Sequence, residues 1–137
     1  MTKKIKTIVL IDDDNDTNIY NEFILSDTGI VENIVIFQNG KTALEFLTKK
    51  DDTGHYPQPE IIFLDINMPI MNGWEFLTAY KKIPEEQRTG IVITMLSSSM
   101  NPDDKIKAEK MGVINGFINK PLTETKFKEL IDAFFTD

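Results

Sequence analysis

The sequence predicts a single α/β domain built on a parallel β-sheet, and two observations support this prediction. Short apolar runs typical of buried strands alternate with segments that have helical periodicity. Strict alternation of strands and helices is typical of a parallel sheet with helices on both faces. The chain has 137 residues, the usual size of one domain. We therefore expect residues 1–137 to form a single domain.

The first two strands are each followed by a predicted helix. The first predicted strand is Ile8–Ile11. Residues 15–26 are predicted to form a helix, and Thr28-Gly29 is the signal that ends it. The apolar residues of this helix are spaced to form one face, and they are Ile19, Tyr20, Phe23 and Ile24. The second strand is Glu32–Phe37, and a second helix opens after Asn39-Gly40.

The middle of the chain contains a loop, the third strand and the third helix. Residues 51–59 form a polar loop that contains glycine and proline. The run Glu60–Asp65 is apolar up to its last residue, which is typical of a strand buried on both faces. The third helix follows Gly73 and stops before Pro84.

The last third repeats the strand–helix pattern twice. The fourth strand is Ile91–Leu96, and the fourth helix starts with a capping Asn101 followed by proline and acids. This helix ends at Met111-Gly112. The fifth strand is Ile114–Asn119, and Thr123 caps the fifth helix. The prediction is thus five strands and five helices.

Polar residues with distinctive chemistry follow four of these strands. Three consecutive acids, Asp12 to Asp14, follow the first strand, and Asp65 ends the third. Ser97 follows the fourth strand, and Lys120-Pro121 follows the fifth. The carboxyl ends of parallel strands lie along one edge of the sheet, where α/β proteins bind ligands. Such a set can hold a divalent metal beside a nucleophilic carboxylate.

Each feature also has a purely structural explanation. Acids cap helices where a strand meets a helix start, and Asp14 is a good candidate for that task. Magnesium usually takes only one or two carboxylates plus waters, so the three acids alone do not decide between a metal site and a helix cap. Ser97 can satisfy backbone groups of a turn, and Lys120-Pro121 can be a surface turn. The single histidine, His55, lies in a loop without a metal-spaced partner, and we expect it to be inert.

Composition excludes several classes of protein. The net charge of -7 argues against a general nucleic-acid binder, because phosphate backbones are bound by basic patches. The absence of cysteine excludes disulfides and thiolate metal sites. No apolar run approaches the roughly 20 residues that span a bilayer, and the first strand is too short for a signal peptide. We therefore expect a cytoplasmic protein that binds neither membranes nor nucleic acid.

Taken together, these residues resemble the receiver domain of two-component response regulators. The segment Leu64–Gly73 is similar to the family's phosphorylation-site motif, with proline four and glycine eight residues after Asp65. The resemblance runs from about Lys6 to Phe135. It implies a flavodoxin-like, doubly wound five-stranded parallel sheet in the order 2-1-3-4-5 with helices on both faces. It also implies a single-domain receiver, like the chemotaxis regulators, without an output domain.

The resemblance implies a phosphoryl-transfer role for the acids. Asp65 would accept a phosphoryl group from a sensor histidine kinase or a histidine phosphotransfer protein. Asp13 and Asp65 would ligate Mg²⁺, with Asp12 acting largely through water. Asn67 would contribute its backbone carbonyl to the same metal.

The resemblance also implies a switch. Lys120 would pair with Asp65 and then with a phosphoryl oxygen, and Ser97, where the family more often has threonine, would hydrogen-bond another. Phe117 would turn inward when Ser97 moves. The fourth helix, fifth strand and fifth helix would form the face that binds a downstream target protein.

Two other classes of function compete with this interpretation. Magnesium-dependent phosphatases and phosphotransferases with an aspartate nucleophile usually have a second aspartate two residues later, as a general acid. This chain has Asn67 there, which cannot do acid–base chemistry. A phosphorylation-independent interaction module would not need the complete set of acids, hydroxyl and lysine. The sequence therefore favours a signalling phosphoacceptor over an enzyme.

Overall fold

A computed structural model describes residues 4–66, 68, 71–98 and 101–135 of the chain. Its strands are β1 (Ile5–Ile11), β2 (Val31–Phe37), β3 (Ile61–Asp65), β4 (Val92–Ser97) and β5 (Gly116–Asn119). Its helices are α1 (Asn15–Asp27), α2 (Gly40–Leu47), α3 (Gly73–Lys81), α4 (Glu85–Arg88), α5 (Pro102–Met111) and α6 (Glu124–Phe134).

The five strands form one parallel sheet in the order β2-β1-β3-β4-β5. This confirms the predicted fold class and strand order. The register brings the strand ends to one edge, since Ile11 pairs with Leu64, Asp65 with Leu96, and Ser97 with Asn119. The residues that follow these ends therefore lie close together.

Two hydrophobic cores cover the two faces of the sheet. Alternate residues of β3 point to opposite faces, so Ile62 and Leu64 enter one core while Ile61 and Phe63 enter the other. The first core is completed by α2, α3 and α5, and the second by α1 and α6. All five residues of β3 are buried, as predicted for the central strand.

Side chains that accept backbone hydrogen bonds define most helix starts. Asp14 accepts from the backbone N–H of Asp16 at the start of α1, which confirms the structural role expected for it. Asn101 caps α5 and Thr123 caps α6, as predicted. Asn72 and Glu75 form a reciprocal capping box at α3. These caps hold the helices that begin at the polar edge of the sheet.

The apolar face predicted for α1 is mostly exposed, although its fourth residue, Ile24, is half-buried and packs against the second core. Ile19 is 58% exposed and Phe23 is 66% exposed, and Tyr20 is exposed too. The residues that α1 buries are Asn18, Asn21 and Leu25. The inward face carries Asn18, whose side-chain amide donates to the Asp12 carbonyl, and Leu25, which packs into the second core.

Several element boundaries also differ from the prediction. The structure adds the single-turn helix α4 after Pro84, so the described residues contain six helices where five were predicted. Strand β1 begins at Ile5, and β5 begins only at Gly116. Ser97 is the last residue of β4 and does not follow it. Among the described helices, none is both long and apolar enough to cross a membrane.

Candidate functional site

Three aspartates converge at the carboxyl edge of the sheet. Asp12 and Asp13 follow β1, and Asp65 ends β3. Each offers one carboxylate oxygen, and these three oxygens lie within 4.8 Å of one another. Asp12 and Asp65 are buried, while Asp13 is exposed and leaves the cluster open to solvent. Hard oxygen donors in this arrangement fit a small divalent cation such as Mg²⁺.

Lys120 reaches the same cluster from the loop after β5. Its Nζ lies 2.9 Å from Oδ2 of Asp12 and 3.5 Å from Oδ1 of Asp65. Burial alone would lower the pKa of Lys120, but the hydrogen bond to Asp12 and the charges of Asp65 and Asp12 outweigh it, so this pKa is raised. The ammonium therefore stays charged and partly neutralises the acids.

The Asp12 carboxylate is held by two donors. Oδ1 accepts from the backbone N–H of Asp14 at 2.9 Å, and Oδ2 accepts from Lys120. The Asp12 carbonyl also accepts from Nδ2 of Asn18 at 2.8 Å. The family resemblance implied a pair between Lys120 and Asp65, which the structure contains, but the shorter contact of Lys120 is with Asp12. Asp12 is thus an organising residue of the site as well as a candidate ligand.

Ser97 and Phe117 lie on adjacent strands beside the acids. Ser97 is buried at the end of β4, and its carbonyl accepts from the backbone N–H of Lys120 at 2.8 Å. Phe117 lies on β5 opposite Met95 and is partly buried, with the ammonium of Lys105 5.9 Å from its ring centre. The structure therefore places Ser97 next to Lys120, and Phe117 on the strand that leads to it.

The turn after β3 explains why a glycine is needed at position 73. The N–H of Gly73 donates to the Ile66 carbonyl at 2.7 Å. A Cβ added to Gly73 would lie 2.8 Å from the Cα of Ile66 and 2.9 Å from the carbonyl oxygen of Asp65. Any side chain there would push against the backbone that carries Asp65. The predicted metal ligand Asn67 and the proline of the motif, Pro69, lie outside the described residues.

Supporting residues around the site escaped the sequence analysis. Asn18 holds the Asp12 carbonyl, and the Tyr20 hydroxyl donates to the Leu122 carbonyl at 2.9 Å. The ammonium of Lys126 donates to the carbonyls of Asn119 and Pro121. Tyr20 and Leu122 are 102 positions apart, and no local pattern in the sequence signals such contacts.

Comparisons with known proteins agree with this geometry. The family model of the response regulator receiver domain matches residues 8–132. The response regulator Rcp1 of Synechocystis is 30% identical over 94% of this chain and 82% of its own length. The chemotaxis protein CheY-3 of Vibrio cholerae is 29% identical over 98% of this chain and 95% of its own length.

A solved structure shows the same architecture. The two-component response regulator from Cytophaga hutchinsonii superposes with a TM-score of 0.86 and 33% identity. The match covers 98% of this chain and 100% of that one. Together with the family match and the acidic cluster at the end of the parallel strands, this shows that the chain belongs to the response regulator receiver domain family of two-component systems.

Proposed function

We propose that this receiver is a phosphoacceptor in a two-component system or phosphorelay. Asp65 takes a phosphoryl group from a sensor histidine kinase or a histidine phosphotransfer protein. One observation carries the proposal: the carboxylate of Asp65 lies at the end of a buried strand, beside two further acids and a lysine ammonium. This combination supplies a rigid nucleophile and the positive charge that a phosphoryl group requires.

Magnesium is the cofactor in this proposal. Asp13 and Asp65 are the candidate direct ligands, with the Asn67 carbonyl as a further one. Asp12 acts mainly through water, because both of its carboxylate oxygens already accept hydrogen bonds. When bound, the metal supplies charge neutralisation at the phosphoryl oxygens.

The transfer step uses groups of this chain. The Asp65 carboxylate forms the new O–P bond while the P–N bond of a phosphohistidine donor breaks. The departing imidazole nitrogen keeps that electron pair and takes up a proton. Lys120 neutralises one phosphoryl oxygen, and the Ser97 hydroxyl donates to another. Catalysis of phosphoryl transfer depends on positioning and on charge stabilisation. Asp65 and Ser97 are positioned by the ends of two adjacent buried strands, β3 and β4.

The output of the proposed function is a change of protein–protein contacts. Ser97 and Phe117 form the switch, and α5, β5 and α6 form the face that a downstream target protein binds. Support comes from the register, since Ser97 pairs with Asn119 and Met95 with Phe117 on the neighbouring strand. As part of the same proposal, residues 1–137 act as one receiver domain in the cytoplasm. The chain is then a signalling domain rather than a turnover enzyme.

Phosphorylation by a small-molecule donor tests the proposal. The protein is incubated with acetyl phosphate and MgCl₂, and intact-mass and peptide mass spectrometry record the phosphoryl group. We expect one phosphoryl group on Asp65 and none on Asp65→Asn. The control is Asp132→Asn, which removes an exposed carboxylate from α6. Phosphorylation of Asp65→Asn to the wild-type level would refute the assignment.

A further inference from the structure

Lys126 makes two hydrogen bonds that bracket Lys120. It lies in the first turn of α6, where its Nζ donates to the Asn119 carbonyl at 2.8 Å and to the Pro121 carbonyl at 3.0 Å. Its backbone N–H donates to Oγ1 of Thr123 at 3.1 Å, which fixes the start of the side chain. The ammonium of Lys126 is therefore anchored to the backbone on both sides of Lys120.

The first turn of α6 is an electrostatically unfavourable place for the positive charge of Lys126. A cation in the first turn of a helix opposes the helix dipole. Lys128, on the same helix, instead forms an ordinary exposed ion pair with Glu124 one turn earlier. Charge-assisted hydrogen bonds to two carbonyls offset the unfavourable location of Lys126. Lys126 thus binds backbone carbonyls of the loop, whereas Lys128 makes only a surface ion pair among the contacts described.

The loop that carries Lys120 is held from three directions. The backbone N–H of Lys120 donates to the Ser97 carbonyl of β4 at 2.8 Å. The Tyr20 hydroxyl of α1 donates to the Leu122 carbonyl. The ammonium of Lys126 in α6 donates to the carbonyls on either side of Lys120. A lysine side chain has several rotatable bonds, so a fixed backbone is what limits the positions its ammonium can reach.

We propose that Lys126 is a positioning residue for phosphoryl transfer. By holding the Asn119 and Pro121 carbonyls, it keeps the Lys120 ammonium at the acidic cluster, 2.9 Å from Asp12 and 3.5 Å from Asp65. The inference rests on the proposed function of Asp65. Among the residues that the structure describes, Lys126 contacts the loop and not the acids, so it acts through the loop.

Three variants separate positioning from charge. Lys126→Met keeps an unbranched side chain and removes the donors, and Lys126→Arg keeps charge and donors. Lys128→Met is the matched control, because it removes the same charge from the same helix. The initial rate of Asp65 phosphorylation by acetyl phosphate with MgCl₂ is measured for each. Since misplacement of about 1 Å can cost on the order of 100-fold in rate, we expect Lys126→Met to be roughly three- to tenfold slower. Lys126→Arg should recover most of the rate, and Lys128→Met should match wild type.

A spectroscopic readout tests positioning without phosphorylation. The ¹³Cε and ¹Hε signals of Lys120 are recorded in the unphosphorylated proteins, together with their thermal unfolding. We expect Lys126→Met to move the Lys120 signals toward those of exposed lysines without a loss of thermal stability, and Lys128→Met to leave them unchanged. A loss of helix stability alone would not produce this pattern.

The outcomes are distinguishable. If wild type is phosphorylated on Asp65 and Lys126→Met reacts at the same rate, the positioning role is refuted and the proposed function stands. A Lys128→Met variant as slow as Lys126→Met would also refute it, because the effect would then be one of net charge. A wild-type protein that accepts no phosphoryl group on Asp65 would overturn both the proposed function and this inference.

Discussion

At the scale of single residues, Asp12 shows how the side chains of the site are held in place. Its two carboxylate oxygens and its carbonyl oxygen accept hydrogen bonds from Asp14, Lys120 and Asn18, respectively. Its backbone N–H donates to the Phe37 carbonyl of β2. These contacts fix the orientation of Asp12 within the acidic cluster. Asp13, by contrast, is exposed.

Removal of Asp13 should separate metal binding from folding. In Asp13→Ala one of the three clustered carboxylates is lost, so we expect Mg²⁺ affinity to fall by at least about tenfold, because magnesium usually takes only one or two carboxylates. Phosphorylation should be nearly abolished. Stability without metal should stay equal or rise, since like charges repel less. Calorimetric titration of MgCl₂ and thermal unfolding measure both effects. Asp132→Ala is the control, and wild-type affinity in Asp13→Ala would remove Asp13 from the site.

Tyr80 should make the protein lose stability in alkaline solution. Burial raises the pKa of the Tyr80 hydroxyl to about 12, although Arg88 opposes the shift. In the unfolded chain this hydroxyl has its ordinary pKa of 10.0. A raised folded-state pKa contributes stability that is complete below the unfolded value and is lost as pH rises through the folded value. The loss due to Tyr80 is on the order of 2 kcal/mol.

A Tyr80→Phe variant tests this pH dependence. Urea unfolding at pH 8 provides the baseline effect of removing the hydroxyl, and unfolding at pH 11 measures the effect of ionisation. We expect the variant to lose less stability than wild type between these two conditions. The raised pKa of Lys120 acts in the same direction and is present in both proteins. Equal losses in the two proteins would show that Tyr80 does not ionise differently on unfolding.

At the scale of elements, one phenylalanine of α1 and one of α6 lie in opposite environments. Phe23 of α1 is 66% exposed, whereas Phe127 of α6 is fully buried and lies 6.4 Å from the ring of Phe63. Both helices pack on the same face of the sheet and contact each other. The buried residues of α1 include two asparagines, one of which holds the Asp12 backbone. The inner face of α1 therefore supports the site through Asn18 and packs Leu25 into the second core, while Ile19 and Phe23 remain exposed.

The two phenylalanines provide a matched test of this arrangement. Phe127→Ala should cost about 3–5 kcal/mol, because it leaves a cavity in the core. Phe23→Ala should change stability by no more than about 0.5 kcal/mol, as is usual for surface substitutions. Urea unfolding of both variants measures the difference. A cost for Phe23→Ala comparable to that for Phe127→Ala would mean that α1 packs as the apolar spacing predicts.

At the scale of the whole molecule, the proposed switch connects the site to a distant face. Ser97 ends β4, Phe117 lies on β5, and α5 and α6 flank that strand from opposite faces. A phosphoryl group can shift the conformational equilibrium only by the difference between its contacts in the two states. The Ser97 hydroxyl is the contact that would make this difference.

Ser97→Ala should therefore uncouple phosphorylation from the conformational change. We expect the variant to accept a phosphoryl group on Asp65 but to show a reduced response around Phe117. NMR shifts of Phe117 and its neighbours are measured before and after addition of beryllofluoride and MgCl₂. Ser98→Ala, a neighbouring exposed serine, is the control. The complete wild-type shift pattern in Ser97→Ala would assign the switch to another residue.

The order of the five strands along the chain and the acids and lysine that meet at their carboxyl edge could be predicted from the sequence. Local composition predicts a buried strand, as in the apolar run from Ile61 to Leu64. Local side-chain chemistry predicts helix caps such as Asn101 and Thr123. Asp65 ends a predicted strand, Asp12, Asp13 and Lys120 follow others, and parallel strands bring such ends to one edge. The strand order itself came from the family resemblance, since alternation alone does not specify it.

Only the tertiary structure decided which groups meet within that edge. The ammonium of Lys120 lies closer to Asp12 than to Asp65. Lys126 donates to a backbone carbonyl of the loop that carries Lys120. Phe23 is outside although its spacing is that of a core residue. Local patterns report the periodicity of one element, whereas these contacts join residues up to 108 positions apart. They depend on strand register, helix rotation and side-chain reach, which are set when the elements pack together.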